Sequence, residues 1–339
     1  MPQPARSALV LQGGGALGAY ELGAARRLYR DSSFAPDIIA GVSIGAITSV
    51  LLARPAAGLK PLEALEAFWE KVTVTGLFFP PPLRPYASAF GNPNFFVPRQ
   101  DYYAIPFWTY FYDTRPLRGT LSQLVDLKAL ADPKAAPGLL VSATDVEAGQ
   151  IQYFFSGDKG LTLDHIIASG SLPPSFPMTV IDEKHYWDGG VFDNTPLGAV
   201  LDRLDPSEGL ERAIYVVNLF PNEARLPRNL YEVYVRLQNL QFINRTLQDV
   251  NMLRRIDELV EMMEALDHLP DGNPMKDNPA YQKVASRHYI RVPKIVSITR
   301  AEEVSGFDGS DFSPQAIEAR AREGYSATDL ALKTQPPMT

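Results

Sequence analysis

Gly41-Val42-Ser43-Ile44-Gly45 is a G-x-S-x-G sequence, the pattern of a nucleophile elbow. On a sharp turn between a strand and a helix, a serine is held in a strained backbone conformation with its hydroxyl exposed. Flanking glycines remove the Cβ atoms that would clash there. The start of the helix aims unpaired backbone N–H groups at developing negative charge. The chemistry this would serve is attack by the Ser43 hydroxyl on an acyl carbon. A bare G-x-S-x-G is also an ordinary glycine-flanked turn, so the strand–turn–helix setting decides between the two.

A second stretch, Gln12-Gly13-Gly14-Gly15-Ala16-Leu17-Gly18, stands between an apolar run and a helical pattern. Two readings compete for it. Gly13, Gly15 and Gly18 fit the G-x-G-x-x-G dinucleotide fingerprint, which asks for an acidic residue at the end of the next strand, about 20 residues on. Here the next strand ends in the serine turn, and Asp37 stands at its beginning. In the other reading, side-chain-free N–H groups near Gly14 and Gly15 form an oxyanion hole, in which one donor supplies about 2.7–4 kcal/mol. Two glycine loops on adjacent parallel strands converge at one sheet edge, which favours the oxyanion hole. The bland reading is a close helix–strand packing turn.

A serine nucleophile needs a base. His185-Tyr186-Trp187-Asp188-Gly189-Gly190 ends a strand with a carboxylate followed by two glycines that admit a close backbone approach. Free aspartate has a pKa of about 3.9, a poor match to a hydroxyl. Desolvation would raise it, and Trp187 stands beside it. Asp-Gly-Gly alone is an ordinary turn.

These residues need a scaffold that brings them to one edge. Ser7–Gln12 reads as a buried strand, Gly18–Arg30 as a helix, Asp37–Val42 as a second strand and Ile44–Ala53 as a second helix. That alternation predicts βαβ units and a mainly parallel central sheet flanked by helices, an α/β fold. Leu62–Val72, Leu117–Leu130 and Thr162–Gly170 are expected as helices. Leu139–Val146, Ile151–Phe155, a paired Met178–Trp187 and Ala213–Phe220 are expected as strands. Gly76–Pro116 carries eight of the 29 prolines and 13 aromatic residues, and is expected as a long irregular loop. Its Phe78, Phe79, Phe95, Phe96, Phe107 and Trp108 suit either an apolar wall or membrane-facing rim, or a cap packed on its own core.

From Pro227 to Leu269 the pattern turns helical. One stripe is Leu230, Val233, Leu237 and Leu240; another is Ile243, Leu247, Val250, Leu253, Ile256, Val260 and Met263. Both read as core or dimer seams, because the polar positions mix Arg254 and Arg255 with Glu258, Glu261 and Glu264, unlike a basic lipid-binding helix. A last strand at Tyr289–Thr299 and a helix near Pro314–Leu332 close the chain.

GGGALGAY, GVSIG, IIASGSLPPSFP and YWDGGVFDNTPL, in that order, together resemble patatin-like phospholipases over roughly residues 7–200. The resemblance implies a Ser–Asp dyad, with Ser43 as nucleophile and Asp188 as general base. It also implies that the amides of Gly13, Gly14, Gly15 and Ala16 form the oxyanion hole, while Gly18, Gly41, Gly45, Gly189 and Gly190 complete the motifs. Many members carry a basic residue in the glycine loop, where this chain has Ala16-Leu17. GNPNFFVPR and PNEARLPRNLYEVYVRLQNLQFINRT are similar to a bacterial subgroup with a C-terminal extension. Residues 1–220 are therefore expected as the catalytic domain and 221–339 as a helical extension packed on it.

The rival groups are weaker. His268 or His288 would satisfy the chain order of a Ser–Asp–His triad, but hydrolases of that order build several strands before the elbow. His165 and His185 read as packing or surface histidines, and Asp193 as a helix-start charge beside Asn194-Thr195-Pro196. Ser169 and Ser171 read as cap or turn residues.

Composition narrows the function further. With 339 residues, 45% hydrophobic and 21% charged, the chain is a folded protein. A net charge of −7 gives no global basic field for nucleic acid. Zero cysteines exclude disulfides and thiolate chemistry, and four histidines argue against a metal cluster, so neither metal nor cofactor is expected. The longest early uncharged stretch, Ile38–Ala53, has 16 residues, short of the roughly 18–20 that span a bilayer. A cytoplasmic protein without an export signal is expected. The activity expected is hydrolysis of carboxylic esters of lipid-like substrates. Peripheral membrane contact would run through Gly76–Pro116, and a homo-oligomer stays open. The alternatives are an acyltransferase, a non-lipid carboxylesterase or polyester-oligomer hydrolase on the same dyad, a dinucleotide-binding protein, and a non-catalytic interaction protein.

Overall fold

The structure is a computed structural model and describes residues 6–76, 80, 83, 87–88, 90–204, 213–221, 223–242, 255, 258–266, 268–270, 272–285, 294–302, 304 and 308–334. Its first strand, β1 (Ser7–Leu11), is a short apolar run that can only be buried on both faces. It pairs in parallel with β2 (Ile38–Gly41), and β2 pairs in parallel with β5 (Gly138–Asp145). On the other side, β1 pairs in parallel with β9 (Ala213–Asn218), and β9 with β10 (Lys294–Thr299). Two antiparallel partners flank β5, β6 (Gln150–Phe155) and β8 (Lys184–Asp188), and β8 pairs in turn with β7 (Thr179–Ile181). Between β6 and β7 the chain forms α6 (Ser156–Lys159) and α7 (Leu163–Ser169), the second of them the helix expected over Thr162–Gly170.

Alternate residues of each strand feed opposite layers. Leu9, Leu11, Ile39, Val141, Val217 and Ile298 join the core under α1 (Ala19–Leu28), α2 (Ile44–Ala53) and α3 (Pro61–Val72). Ala8, Val10, Ile38, Ala40, Leu140 and Val216 pack instead against Leu197 and Val200 of α8 (Leu197–Leu201). The result is an α/β protein with a mostly parallel sheet covered on both faces, as the strand–helix rhythm predicts.

The segment after residue 220 completes this body. It supplies a short helix, α10 (Pro279–Ala285), then β10 to the sheet, and the last helix, α11 (Pro314–Thr334), which lies against α1. α1 and α11 touch backbone to backbone: a Cβ on Gly23 would stand 1.8 Å from the Ala321 oxygen, and one on Gly324 would stand 2.0 Å from the Tyr20 oxygen.

Three expectations change. The helix expected over Leu117–Leu130 is two helices, α4 (Arg115–Leu124) and α5 (Leu127–Ala131), because the Asp126 carboxylate caps the second by accepting the N–H groups of Lys128 and Ala129. The described part of Gly76–Pro116 is more than a plain loop. It holds a short ribbon of β3 (Val97–Pro98) and β4 (Tyr112–Asp113) and a 3-10 helix over Tyr102–Phe107.

Its described aromatic residues are partly buried and partly exposed. Phe95 and Phe96 are buried with Trp69, Phe176 and Phe312, whereas Phe107 is 85% exposed and Trp108 lies under the Arg99 guanidinium. Phe78 and Phe79 lie outside the described residues.

Third, the stripe Leu230, Val233, Leu237 and Leu240 of α9 (Leu230–Phe242) is not core: all four are half exposed or more. The helix buries Val235 and Asn239 instead, and the Asn239 amide donates to the Val304 carbonyl. Of the second stripe, Val260 and Met263 are buried, and Ile243, Leu247, Val250, Leu253 and Ile256 lie outside the described residues.

Candidate active site

β2 and β8 share one edge of β5 and run toward each other along it. Leu140 and Val141 pair with β2 on one side and β6 on the other, and Ala143–Asp145 pair with β8 and β6 in the same way. β2 ends with Gly41 opposite Val141, and β8 ends with Asp188 opposite Ala143, so the two C-terminal ends meet about 7 Å apart at ~3.3 Å per residue. The residues at both strand ends are thereby delivered to the same spot.

Beyond the end of β2 the chain turns through the elbow. Ser43 has φ 56° and ψ −122°, a conformation strained for a residue with a Cβ, and it caps α2. The turn is tight enough that a Cβ on Gly41 would meet the Gly45 carbonyl at 2.2 Å, and one on Gly45 would meet the Leu11 carbonyl at 2.4 Å. Only hydrogen atoms fit at these two positions.

The end of β8 carries the carboxylate. Asp188 is buried, and its Oδ1 accepts the Gly190 N–H at 2.7 Å. The Ser43 hydroxyl faces the same carboxylate. Burial pushes the Asp188 carboxyl up to about 7, against the lowering influence of the Ser43 hydroxyl and the Gly190 N–H. Gly189 packs where a Cβ would stand 2.6 Å from the Ser142 oxygen, and Gly190 beside the Asn194 amide.

The glycine loop lies against this pair. A Cβ on Gly13 would stand 3.0 Å from the Ser43 Cβ, and one on Gly18 would stand 2.5 Å from Ile44. Gly13 and Ala16 are buried, Gly14 and Gly15 half-buried, and Gly15–Gly18 form a 3-10 turn that leads into α1. The loop carries no side chains of its own to fix it, so neighbours hold its carbonyls. The Asn194 amide donates to the Gly13 oxygen at 3.1 Å, and the Leu17 N–H to the Gly14 oxygen at 3.2 Å. The Gln12 side chain anchors the strand end: its Oε1 accepts from Leu219 and Phe220, and its Nε2 donates to Thr195.

Ser169 and Ser171 do more than terminate a helix. The Ser43 N–H donates to both the Ser169 carbonyl, 3.0 Å, and the Ser169 hydroxyl, 3.1 Å. Two residues on, the Ser171 carbonyl accepts the Asp188 N–H at 2.9 Å. One short segment thus ties down both backbones. No spacing rule marks Ser169, Asn194 or Gln12 in the sequence, because each acts through contacts more than a hundred residues away.

Asp193 is also placed differently from expectation. It does not start a helix; its Oδ1 accepts the Thr195 N–H, its Oδ2 accepts the Tyr153 hydroxyl, and Pro196 is the cap of α8. Asp37 accepts from Arg6 and Ser7 at the opposite end of β2, away from the loop that a dinucleotide would occupy.

The described histidines stand elsewhere. His165 Nδ1 accepts the Thr162 N–H under Phe154, His185 faces Glu147 at the surface, and His268 is exposed. His288 lies outside the described residues. Among the described residues no group of carboxylates and histidines could hold a metal ion, and no helix is long and apolar enough to cross a membrane.

A covered, mostly parallel α/β sheet with a serine elbow, a buried aspartate and a glycine loop at one edge defines a class of α/β proteins. Within it, this chain belongs to the patatin-like phospholipase family: that family's model matches residues 9–201, and a second model, described as patatin phospholipase, matches 240–338. Membership indicates a lipid hydrolase. The chain is similar to the crystal structure of VipD from Legionella pneumophila, at 12% identity and a TM-score of 0.41, covering 98% of this chain and 67% of that one. It is also similar to the type III effector protein ExoU, at 14% identity and a TM-score of 0.35, covering 98% of this chain and 54% of that one. A full-length ExoU from Pseudomonas aeruginosa, in complex with SpcU, matches at 19% identity and a TM-score of 0.30, covering 84% and 61%. No curated protein matches the chain significantly.

Proposed function

We propose that the protein hydrolyses carboxylic esters of lipid-like substrates through an acyl-enzyme, with Ser43 as nucleophile and Asp188 as general base. The observation that carries this is the meeting of β2 and β8 on one edge of β5, which sets a strained serine hydroxyl against a carboxylate whose burial raises it to about 7. A base with that pKa is half ionised at neutral pH and accepts a proton far better than free aspartate does.

The Ser43 oxygen attacks the ester carbon while Asp188 takes the hydroxyl proton. The carbonyl oxygen becomes an oxyanion held by the amides of the Gly13–Ala16 loop. Collapse of the tetrahedral intermediate expels the alkoxide, which leaves as the alcohol with the proton from Asp188, and the acyl group stays on Ser43. Asp188 then takes a proton from water, whose oxygen attacks the acyl carbon; the acid departs and Ser43 regains its proton.

Contact with a lipid aggregate falls to the Gly76–Pro116 segment in this reading. Tyr102, Tyr103, Ile105, Phe107 and Phe111 are all exposed there, and the Phe111 N–H donates to the Pro174 and Ser175 carbonyls, just beyond the segment that holds Ser43. Exposed aromatic residues are suited to a membrane interface. The test is turnover of a short soluble ester and of phospholipid vesicles by the full chain. Ser43→Ala and Asp188→Asn should each abolish both reactions, and retention of turnover by either variant defeats the assignment.

A further inference from the structure

The C-terminal segment reaches the glycine loop directly. A Cβ on Gly15, which has φ +58°, would stand 2.4 Å from the Gly309 carbonyl oxygen. Arg320 of α11 is buried at 5% exposure and points at the same loop. Its Nη1 donates to the Ala16 carbonyl at 3.3 Å and to the Asp311 carbonyl at 2.8 Å, and its Nη2 lies 3.7 Å from Asp308 Oδ1.

A peptide group is planar, with its C=O and N–H pointing in opposite directions, so whatever holds a carbonyl aims the amide behind it. Arg320 holds the Ala16 carbonyl together with the Ala19 N–H, and the amide of that same peptide, Leu17 N–H, donates to the Gly14 carbonyl. The amide behind the Gly14 carbonyl is Gly15 N–H. Successive hydrogen bonds polarise one another, most strongly when the chain starts at a cation.

We infer that Arg320 is a positioning residue for the oxyanion hole: through the Ala16–Leu17 and Gly14–Gly15 peptides it orients and polarises the Gly15 amide. The C-terminal segment thereby becomes part of the ester-cleaving site. This rests on the proposed oxyanion hole and adds to it a residue three hundred positions away in the chain.

The test uses the full chain and a short soluble ester. Arg320→Gln should lower kcat by about tenfold or more while KM stays within about twofold. It should weaken a trifluoromethyl ketone, whose adduct places an anionic oxygen in the hole, by the same factor as kcat/KM. Methylguanidinium added to Arg320→Ala should restore turnover. Arg27→Gln is the control, because it removes an ion pair at 2.7 Å between α1 and Asp329 of α11 without touching the loop, and it should leave kcat unchanged.

Unchanged kcat and ketone affinity in Arg320→Gln would overturn the inference. So would an Arg320→Ala that methylguanidinium leaves inactive, or an Arg27→Gln that loses as much as Arg320→Gln. A fluorophosphonate separates the two levels. Labelled Ser43 with an indifferent Arg320 removes only this inference, whereas an unlabelled Ser43 removes the proposed function beneath it.

Discussion

Ser43 and Ser169, 126 positions apart, are joined by a forked hydrogen bond in which one N–H is shared between the Ser169 carbonyl and hydroxyl. The bond holds a residue whose φ of 56° would otherwise relax toward an unstrained region. Ser169→Ala keeps the carbonyl acceptor and loses the hydroxyl, at a cost of about 1 kcal/mol. A drop of about fivefold in kcat is expected from a looser elbow, with KM little changed. Steady-state kinetics on a soluble ester, beside a circular dichroism spectrum matching the parent, check it.

With Asp188 as the proposed base, activity and stability should respond to pH in opposite senses. Turnover through that base needs the ionised carboxylate, so kcat/KM should rise tenfold per pH unit below about 7 and level off above it. For stability, the folded pKa of about 7 stands above the ordinary 3.8. The folded protein therefore holds this proton more tightly than the unfolded chain does. Its contribution is complete below about pH 4 and is lost as pH rises through 7, on the order of 4 kcal/mol in all. Asp188→Asn should match the parent's melting temperature at pH 4 and exceed it at pH 8. Equal melting temperatures at pH 8 would refute the burial account.

Gly15 combines a left-handed φ with the Gly309 carbonyl at 2.4 Å from where a Cβ would stand. Gly15→Ala should destabilise the fold by about 2 kcal/mol or more, from backbone strain plus displacement of the 308–310 turn. Gly58→Ala is the matched control, with φ +88° and open space around its Cβ, so it carries the strain alone. Chemical denaturation of the two variants should show Gly15→Ala as the less stable.

The exposed aromatic residues of the 3-10 helix should matter for aggregates and not for chemistry. Tyr103→Ser with Phe107→Ser removes side chains that are 91% and 85% exposed. Vesicle sedimentation should show weaker binding, and turnover of a soluble ester should stay at the parental level. Loss of soluble-ester turnover would show that these side chains serve the site itself.

Much of this arrangement is legible in the sequence because its signals are local. The Ile44–Ala53 helix comes from an uncharged run of small and aliphatic residues that follows a glycine-flanked serine, and the structure has those same bounds. β1 and β2 are apolar runs stopped by glycine, and a run of that kind has few other fates. The placement of Asp188 opposite Ala143 is not legible, because register on β5 depends on three strands at once. The α4–α5 break is hidden because the Asp126 cap sits inside an otherwise continuous apolar period. The α9 stripe of Leu230, Val233, Leu237 and Leu240 shows the limit of periodicity: it identifies an apolar face, but does not separate a core face from a seam between copies, and here the face is outside the core. Arg320 carries no local signal at all, since only the folding of α11 onto α1 brings it to Ala16.

The partnership of hydroxyl and carboxylate is tested most directly by treating the full chain with a fluorophosphonate and mapping the modified peptide. A single adduct on Ser43 is expected, absent in Ser43→Ala and strongly slowed in Asp188→Asn. An adduct on another serine, or undiminished labelling of the Asp188→Asn protein, would contradict it.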